Sequence, residues 1–214
     1  MVAMGIIGTA GRGDDAGHLT ADHYNRMVHG AIKLINHLKI DLSELTLVSG
    51  GAAWADHLVV TLTLMGVIPP DRLMLFLPAK LVYYGFEGGE GFDQRTADTA
   101  NYYHKMFKAK TGVDSINELL AVQKQGAVIE EVTGGFFTRN SMVASTCLNG
   151  HILAFTFGAD TSNQVPWTVR SFNNETKAKN AGLKDGGTAD TWNKSKCQKH
   201  HARIGQTTDD TFYI

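Results

Sequence analysis

Short apolar runs alternate along the chain with longer segments in which apolar residues recur every three or four positions. The runs Ala3–Gly8 and Leu45–Val48 have the length and composition of buried strands. Between them, a helix beginning at Thr20 presents one apolar face, formed by Tyr24, Met27, Val28, Ala31, Leu34, Ile35 and Leu38. Strands that alternate with helices indicate right-handed crossovers and therefore a mostly parallel sheet.

The rest of the chain continues this alternation less regularly. The pattern predicts further strands at Leu73–Leu77, Ala127–Val132, Ile152–Phe157 and Thr211–Ile214. It predicts helices at Trp54–Met65, Thr96–Lys108, Ser115 to about Gly126, Arg139–Leu148 and Thr188–Lys196. Ser115 and Glu118 are spaced as a capping box. We therefore predict one α/β domain over residues 1–214, with a Rossmann-like three-layer fold and irregular excursions at about 79–126 and 158–185.

Composition and charge exclude several classes of protein. The chain has 23 glycines and 4 prolines, whereas disordered chains are usually rich in both. A net charge of -1 is not the signature of a dedicated nucleic-acid binder, so we expect no nucleic-acid partner. No apolar run reaches the roughly 18 residues of a membrane span, and the apolar start lacks a basic leader. We expect a cytoplasmic protein without a membrane partner.

Cysteine and histidine do not follow a metal-binding pattern. Cys147 and Cys197 are isolated, which is neither a disulfide framework nor a zinc spacing. His200 and His201 lie close to Cys197, but adjacent histidines point in different directions and no fourth ligand is near in the sequence. We expect no metal and no cofactor.

Three groups of glycines fall directly after a predicted strand or directly before a predicted helix. They are Gly8–Gly13, the segment Ser49–Asp56, and Gly186–Thr191. Ligands bind beyond the carboxyl ends of strands in an open α/β sheet, and glycine lets backbone N–H groups approach a phosphate. Each group alone also fits a tight turn, but three at one end of a sheet favour a pocket. The groups match neither G-x-G-x-x-G nor a G-K-[ST] loop, so hydride transfer and ATP hydrolysis lose support.

Side chains around these glycines supply candidate contacts. Arg12 and Arg139 would neutralise a phosphate, and Asp56 or Asp190 would hold a ribose hydroxyl. The alternatives are a surface salt bridge for Arg139 and a first-turn acid favoured by the helix dipole for Asp56. The predicted ligand-binding residues are Gly8, Thr9, Gly11, Arg12, Ser49, Gly50, Gly51, Asp56, Arg139, Asn140, Gly186, Gly187, Thr188, Asp190, Thr191 and Asn193.

The chain resembles the SLOG superfamily in the order and spacing of four motifs. These are Gly8-Thr9-Ala10-Gly11-Arg12, Ser49-Gly50-Gly51-Ala52-Ala53-Trp54-Ala55-Asp56, Arg139-Asn140 and Gly186-Gly187-Thr188. The second is similar to the superfamily's S-G-G-A-x-G-A-D element. The superfamily includes the LOG ("lysine decarboxylase"-like), YpsA-like and DprA proteins. The resemblance implies a Rossmann-like fold, a small nucleotide-type ligand at the strand ends, and a homo-oligomer.

One departure from that pattern bears on the reaction. Hydrolytic LOG members carry P-G-G-x-G-T-x-x-E, and Asn193 stands where that glutamate would be. A carboxylate can stabilise an oxocarbenium-like centre or take a proton from water, whereas an amide only hydrogen-bonds. We therefore predict binding of a nucleotide or an ADP-ribose- or NAD-derived phosphorylated ligand, for sensing or sequestering a nucleotide signal. The alternative is a hydrolase of the N-glycosidic bond of a nucleoside phosphate, with Asp190 or Asp56 as candidate catalytic carboxylate.

Overall fold

The computed structural model describes residues 1–13, 15–157 and 187–204. Its strands are β1 Val2–Gly8, β2 Leu45–Ser49, β3 Leu73–Leu77, β4 Lys80–Val82, β5 Gly85–Glu87, β6 Val128–Glu131, β7 His151–Phe157 and β8 Gln198–Ile204. Six of them form one sheet in the order β6-β3-β2-β1-β7-β8, and every neighbouring pair is parallel. β4 and β5 form a separate antiparallel hairpin.

Helices cover both faces of the six-stranded sheet. They are α1 Asp15–His18, α2 Ala21–His37, α3 Leu58–Leu64, α4 Gln94–Thr111, α5 Ser115–Lys124, α6 Gly135–Thr146 and α7 Gly187–Lys194, with short 3-10 turns at Trp54–His57 and Pro70–Arg72. The helices α2 to α5 pack on one face, and α6 and α7 pack on the other. The predicted three-layer, Rossmann-like α/β fold with a mostly parallel sheet is confirmed.

Burial on both faces explains why the strands read as continuous apolar runs. In β1, Met4 and Ile6 face the core beneath α2 to α5, while Ile7 faces the core beneath α6 and α7. Side chains alternate between the two faces of a strand, so a strand covered on both sides has no polar face. The inner strands are therefore the elements that the sequence pattern predicts best.

Some predicted helix starts and caps differ from the structure. α2 follows Thr20 as predicted, but the capping box at Ser115 is wrong because Asp114 is the N-cap and accepts from the backbone N–H of Asn117. α4 begins two residues before Thr96, after the N-cap Asp93. α6 begins at Gly135 instead of Arg139, so Arg139 lies in its second turn.

The strand β8 was not predicted. Its sequence, Gln198–Ile204, is largely polar, and it forms an edge of the sheet beside β7. The predicted strand Thr211–Ile214 and the predicted excursion 158–185 lie outside the described residues. Residues 80–124 contain the β4–β5 hairpin, α4 and α5. Among the described helices, none combines the length and apolar character that crossing a membrane requires.

Candidate functional site

A cleft of about 960 Å³ opens at the carboxyl edge of the sheet. β1 has β2 on one side and β7 on the other, so the chain order reverses there, which is where open α/β sheets bind ligands. The volume is at the upper end of the roughly 300–1,000 Å³ typical of small-molecule sites. Of the residues that the sequence predicts, the cleft is lined by Gly8, Thr9, Arg12, Gly50, Gly51, Asp56, Arg139, Asn140, Gly187, Thr188 and Thr191.

The remaining predicted residues are not part of this lining. Gly11 packs against the indole of Trp54, where an added Cβ would lie 2.6 Å from Nε1. Ser49 is fully buried, and its Oγ accepts a 3.4 Å hydrogen bond from the backbone N–H of Gly51. Asp190 and Asn193 lie on α7 outside the lining. Gly186 lies outside the described residues.

Arg139 is buried beneath the glycine loop that follows β2. Its Nη1 donates a 2.9 Å hydrogen bond to the carbonyl oxygen of Gly50, and its Nε donates at 3.1 Å to Oδ1 of Asn140. The same Nη1 lies 3.5 Å from Oδ2 of Asp56. Burial lowers the pKa of Arg139, opposed by the charges of Asp56 and Asp190. The salt bridge considered for Arg139 is therefore a buried one, and the Nε and Nη1 atoms of its guanidinium are engaged by the protein.

Asp56 completes the ion pair from the first helical turn after that loop. Its carboxylate is buried, and the backbone N–H groups of Ala52 and Gly50 and the Ser49 hydroxyl lie near enough to act to lower its pKa. Burial nevertheless raises the pKa of Asp56, because desolvation outweighs the opposing effects of Arg139 and these donors. The side chain holds the loop in shape from within.

The carboxylate of Asp190, on α7, is hydrogen-bonded to other side chains of the protein. Its Oδ2 accepts hydrogen bonds from Nδ2 of Asn140 at 3.1 Å and from Nζ of Lys194 at 2.8 Å. Asn140 also accepts a hydrogen bond from Arg139, so its amide links Arg139 to Asp190. The arrangement ties α7 to α6.

The first turn of α7 is also tied to β1. Oγ1 of Thr188 donates a 2.7 Å hydrogen bond to the carbonyl oxygen of Gly8. At Gly8 the backbone passes so close to β7 that an added Cβ would lie 2.0 Å from the carbonyl oxygen of Phe155. Oγ1 of Thr191 donates back to the carbonyl oxygen of Gly187 at 2.9 Å. Both threonine hydroxyls therefore donate their protons to backbone carbonyl oxygens of the protein, and only their lone pairs are left to accept a further hydrogen bond.

The loop after β1 carries Arg12, which is more exposed to solvent than Arg139. Oγ1 of Thr9 donates a 2.6 Å hydrogen bond to Oδ2 of Asp15, and it accepts one from the backbone N–H of Gly11. Asp15 is buried and lines the cleft, although the sequence analysis did not single it out. Arg12 also lines the cleft, is exposed, and makes no ion pair with any residue that the structure describes.

His104 is a second lining residue that the sequence analysis missed. It lies on α4, is 2% exposed, and contacts the glycine loop through a 3.1 Å distance from its Nε2 to the carbonyl oxygen of Gly51. Its Nδ1 lies 2.8 Å from Oγ of Ser115. Burial lowers the pKa of His104 to about 3. In the sequence, His104 lies one helical turn from Ala100 and from Phe107, on the apolar stripe of α4, and this spacing indicates a buried side chain.

Four aromatic side chains line the cleft. Phe86 on β5 and Tyr103 on α4 belong to the face of the sheet covered by α2 to α5, and Phe136 and Phe137 lie on α6, which covers the other face. The ring of Phe86 lies 5.3 Å from that of His104. The lining therefore combines charged and glycine-rich loops with aromatic rings that suit a flat apolar group.

Trp54 occupies an unusual backbone position in the second motif. Its φ of 63° lies in the left-handed region, and the residue stands at the third glycine of S-G-G-A-x-G-A-D. The buried ring packs edge-on against Phe107, with 5.0 Å between ring centroids, and Tyr24, at 6.3 Å. The packing of the indole ring therefore holds Trp54 in a left-handed backbone conformation that glycine adopts more readily.

Metal ligands do not gather at the cleft or elsewhere in residues 1–13, 15–157 and 187–204. No group of three or more His, Cys, Asp or Glu side chains in these ranges has a geometry that could hold an ion. Cys147 and Cys197 are both unpaired thiols, and burial raises the pKa of Cys147 to about 12.

The fold and the cleft define a three-layer, Rossmann-like α/β protein with a ligand-sized cleft at the carboxyl edge of a parallel sheet. Comparison with known protein families and with solved structures gave no match for this chain. The chain is 30% identical over 197 residues to the protein named Uncharacterized protein R261 of Acanthamoeba polyphaga mimivirus, and the match covers 91% of each chain. The chain belongs to the same family as this viral protein.

Proposed function

We propose that the cleft binds a nucleotide or an ADP-ribose- or NAD-derived phosphorylated ligand, and that the protein senses or sequesters a nucleotide signal. One observation carries this proposal: the loops after β1 and β2 and the start of α7 meet at a single cleft at the switch point of the sheet. Backbone N–H groups at such loops and helix starts favour anions.

The lining offers groups for both ends of a nucleotide. Arg12 and the glycine loops would face the phosphate, and the rings of Phe86 and Tyr103 would face the base. Stacking of a base on aromatic rings contributes roughly 1–3 kcal/mol for each base. A purely anionic ligand would leave these rings unused.

The charge of the lining supports Arg12 as the side chain that would contact the phosphate. Two arginines, Arg12 and Arg139, are balanced by two carboxylates, Asp15 and Asp56. Since Arg139 is paired with Asp56 and bonded to Gly50, Arg12 is the cation that a ligand would neutralise. The resemblance to the SLOG superfamily agrees with this assignment of the first loop.

Binding is favoured over hydrolysis by the state of the carboxylates. Asp56 is enclosed by its donors, and Asp190 is held by Asn140 and Lys194 away from the lining. Asn193, at the position of the hydrolytic glutamate, does not line the cleft. None of these three groups is poised to activate water in the cleft.

Hydrolysis of the N-glycosidic bond of a nucleoside phosphate is the second candidate, and one observation favours it. Asp15 is a buried carboxylate on the lining, oriented by the Thr9 hydroxyl. A carboxylate in such a position can serve as general base or stabilise an oxocarbenium-like centre. Incubation with AMP would release free adenine, and Asp15→Asn would abolish the release while Asp190→Asn would leave it unchanged.

Calorimetric titration with AMP, ADP, ADP-ribose and NAD tests the proposed function. We expect at least one of these to bind, and Arg12→Ala to weaken that binding about tenfold, which is about 1.4 kcal/mol. Lys124→Ala removes an exposed positive charge at the end of α5, so it is the matched control and should bind as the wild type does. Absence of binding across the panel, together with no nucleotide in the mass spectrum of the denatured protein, would refute the proposal.

A further inference from the structure

The glycine loop after β2 is supported from behind by the imidazole of His104. Nε2 of this side chain lies 3.1 Å from the carbonyl oxygen of Gly51, and Nδ1 lies 2.8 Å from Oγ of Ser115. The first contact reaches from α4 to the loop, and the second from α4 to the start of α5. One buried side chain therefore joins both helices to the loop.

These contacts determine where the imidazole carries its proton. A carbonyl oxygen can only accept, so Nε2 must be the N–H donor to Gly51. In the neutral ring Nδ1 is then an acceptor, and the Ser115 hydroxyl donates to it. Ser115 therefore stabilises the one tautomer that can bond to the loop.

The surroundings of His104 agree with a neutral ring. The ring of His57 lies edge-on with 6.4 Å between centroids, and His57 is bonded through Nε2 to Glu118 at 2.7 Å. The ring of Phe86 covers another side. Burial and the neighbouring His57 lower the pKa of His104 to about 3, so the ring stays uncharged through the neutral range.

We propose that His104 is a positioning residue of the cleft, which holds the Gly51 carbonyl through its Nε2–H and thereby fixes the course of the loop backbone along the cleft. A peptide unit is planar, so holding the carbonyl of Gly51 also orients the N–H of Ala52 in the same unit, which faces the buried carboxylate of Asp56. Gly51 needs this support because glycine is the most flexible residue, with a φ of 65° here. The consequence for ligand affinity rests on the proposed function, whereas the ordering of the loop does not.

Two substitutions separate this role from simple packing. The side-chain amide of His104→Gln can place an N–H near the position of Nε2, while that of His104→Asn reaches only the position of Nδ1. Both variants remove the same buried ring. We expect His104→Gln to bind AMP or ADP-ribose within about threefold of the wild type, and His104→Asn to bind about tenfold more weakly.

Two measurements need no ligand. Hydrogen exchange of the 50–56 segment should be faster in His104→Asn than in His104→Gln. ¹⁵N NMR of the imidazole should show a proton on Nε2 and no titration between about pH 5 and pH 8. Equal exchange in the two variants, a proton on Nδ1, or a ring that titrates in this range would overturn the proposal. If no probe binds the wild type, the proposed function fails while exchange and NMR still decide the role of His104.

Discussion

Arg139 and Gly50 are 89 residues apart in sequence, yet the guanidinium of one donates a 2.9 Å hydrogen bond to the carbonyl oxygen of the other. The contact is so close that a Cβ added to Gly50 would lie 2.4 Å from Nη1. The glycine at this position therefore makes room for the protein's own arginine. The requirement for glycine and the buried charge are one feature of the fold.

Removing the Arg139 side chain should lower the free energy of unfolding, because the side chain is buried and paired. Arg139→Ala leaves the carboxylate of Asp56 buried without its counter-charge, and breaking a buried pair in this way costs about 3–5 kcal/mol. The double variant Arg139→Met with Asp56→Asn removes both charges and should regain more than half of that loss. Urea unfolding of the three proteins measures this. Equal losses in the single and double variants would contradict the prediction.

The pH dependence of stability reports whether burial or Arg139 dominates at Asp56. Burial raises the pKa of Asp56 above its ordinary 3.8, so the folded protein holds this proton more tightly than the unfolded chain does. Its contribution to stability is therefore present below the unfolded pKa and is lost as pH rises through the folded pKa. The free energy of unfolding of the wild type minus that of Asp56→Asn should fall from about pH 4 towards neutrality. A difference that rises with pH would mean that Arg139 outweighs burial.

At Trp54, replacement by glycine should destabilise the protein less than replacement by alanine, which reverses the usual order of these two substitutions. Both Trp54→Ala and Trp54→Gly lose the buried indole, at a cost of about 3–5 kcal/mol. At a φ of 63°, however, alanine keeps a strain of roughly 1 kcal/mol that glycine does not have. The glycine variant should therefore be about 1 kcal/mol more stable in urea unfolding. At Ile35, inside α2, the same pair of substitutions should give the opposite order.

The loop glycines should differ in their tolerance of alanine. Gly51 has a φ of 65°, and a Cβ there would lie 2.2 Å from Cδ2 of Leu77, so Gly51→Ala should cost about 1–3 kcal/mol. Gly187 starts α7 with its nearest atoms 3.6 Å from an added Cβ, so Gly187→Ala should be neutral or stabilise by about 0.5 kcal/mol. Thermal unfolding distinguishes the two. Gly17→Ala is the control because its Cβ meets nothing within 4 Å, whereas at Gly88 it would lie 2.6 Å from Cα of Gln94.

The sequence predicted most of the sheet because its inner strands are covered on both faces. β8 escaped prediction since it is an edge strand with the polar sequence Gln198–Ile204, in which Ala202 and Ile204 enter the core. The start of α6 was wrong because Gly134 adopts a left-handed conformation at its N-cap, which the glycine pair alone does not reveal. Patterns of burial are readable in sequence, whereas caps depend on single backbone conformations.

The candidate site was predicted in its loops but not in its contacts. Glycines after strands identify where the backbone turns, and these loops do meet at the cleft. Side-chain partners across the fold, such as Asn140 with Asp190 or His104 with Gly51, join residues about 50 positions apart. The apolar stripe of α4 indicates only that His104 is buried. Which groups His104 and Arg139 contact depends on how the layers pack, and has no local sequence signal.

The hydrogen bond from Thr188 to Gly8 joins residues 180 positions apart and closes one side of the cleft. During synthesis the loop after β1 emerges early, while α7 emerges only after nearly all of the described chain. A cleft built from both cannot exist in a partial product on the ribosome. A ligand that contacts both the loop after β1 and α7 would bind the complete folded chain and not its fragments. By mass action, its binding free energy would then stabilise the product of the last folding step.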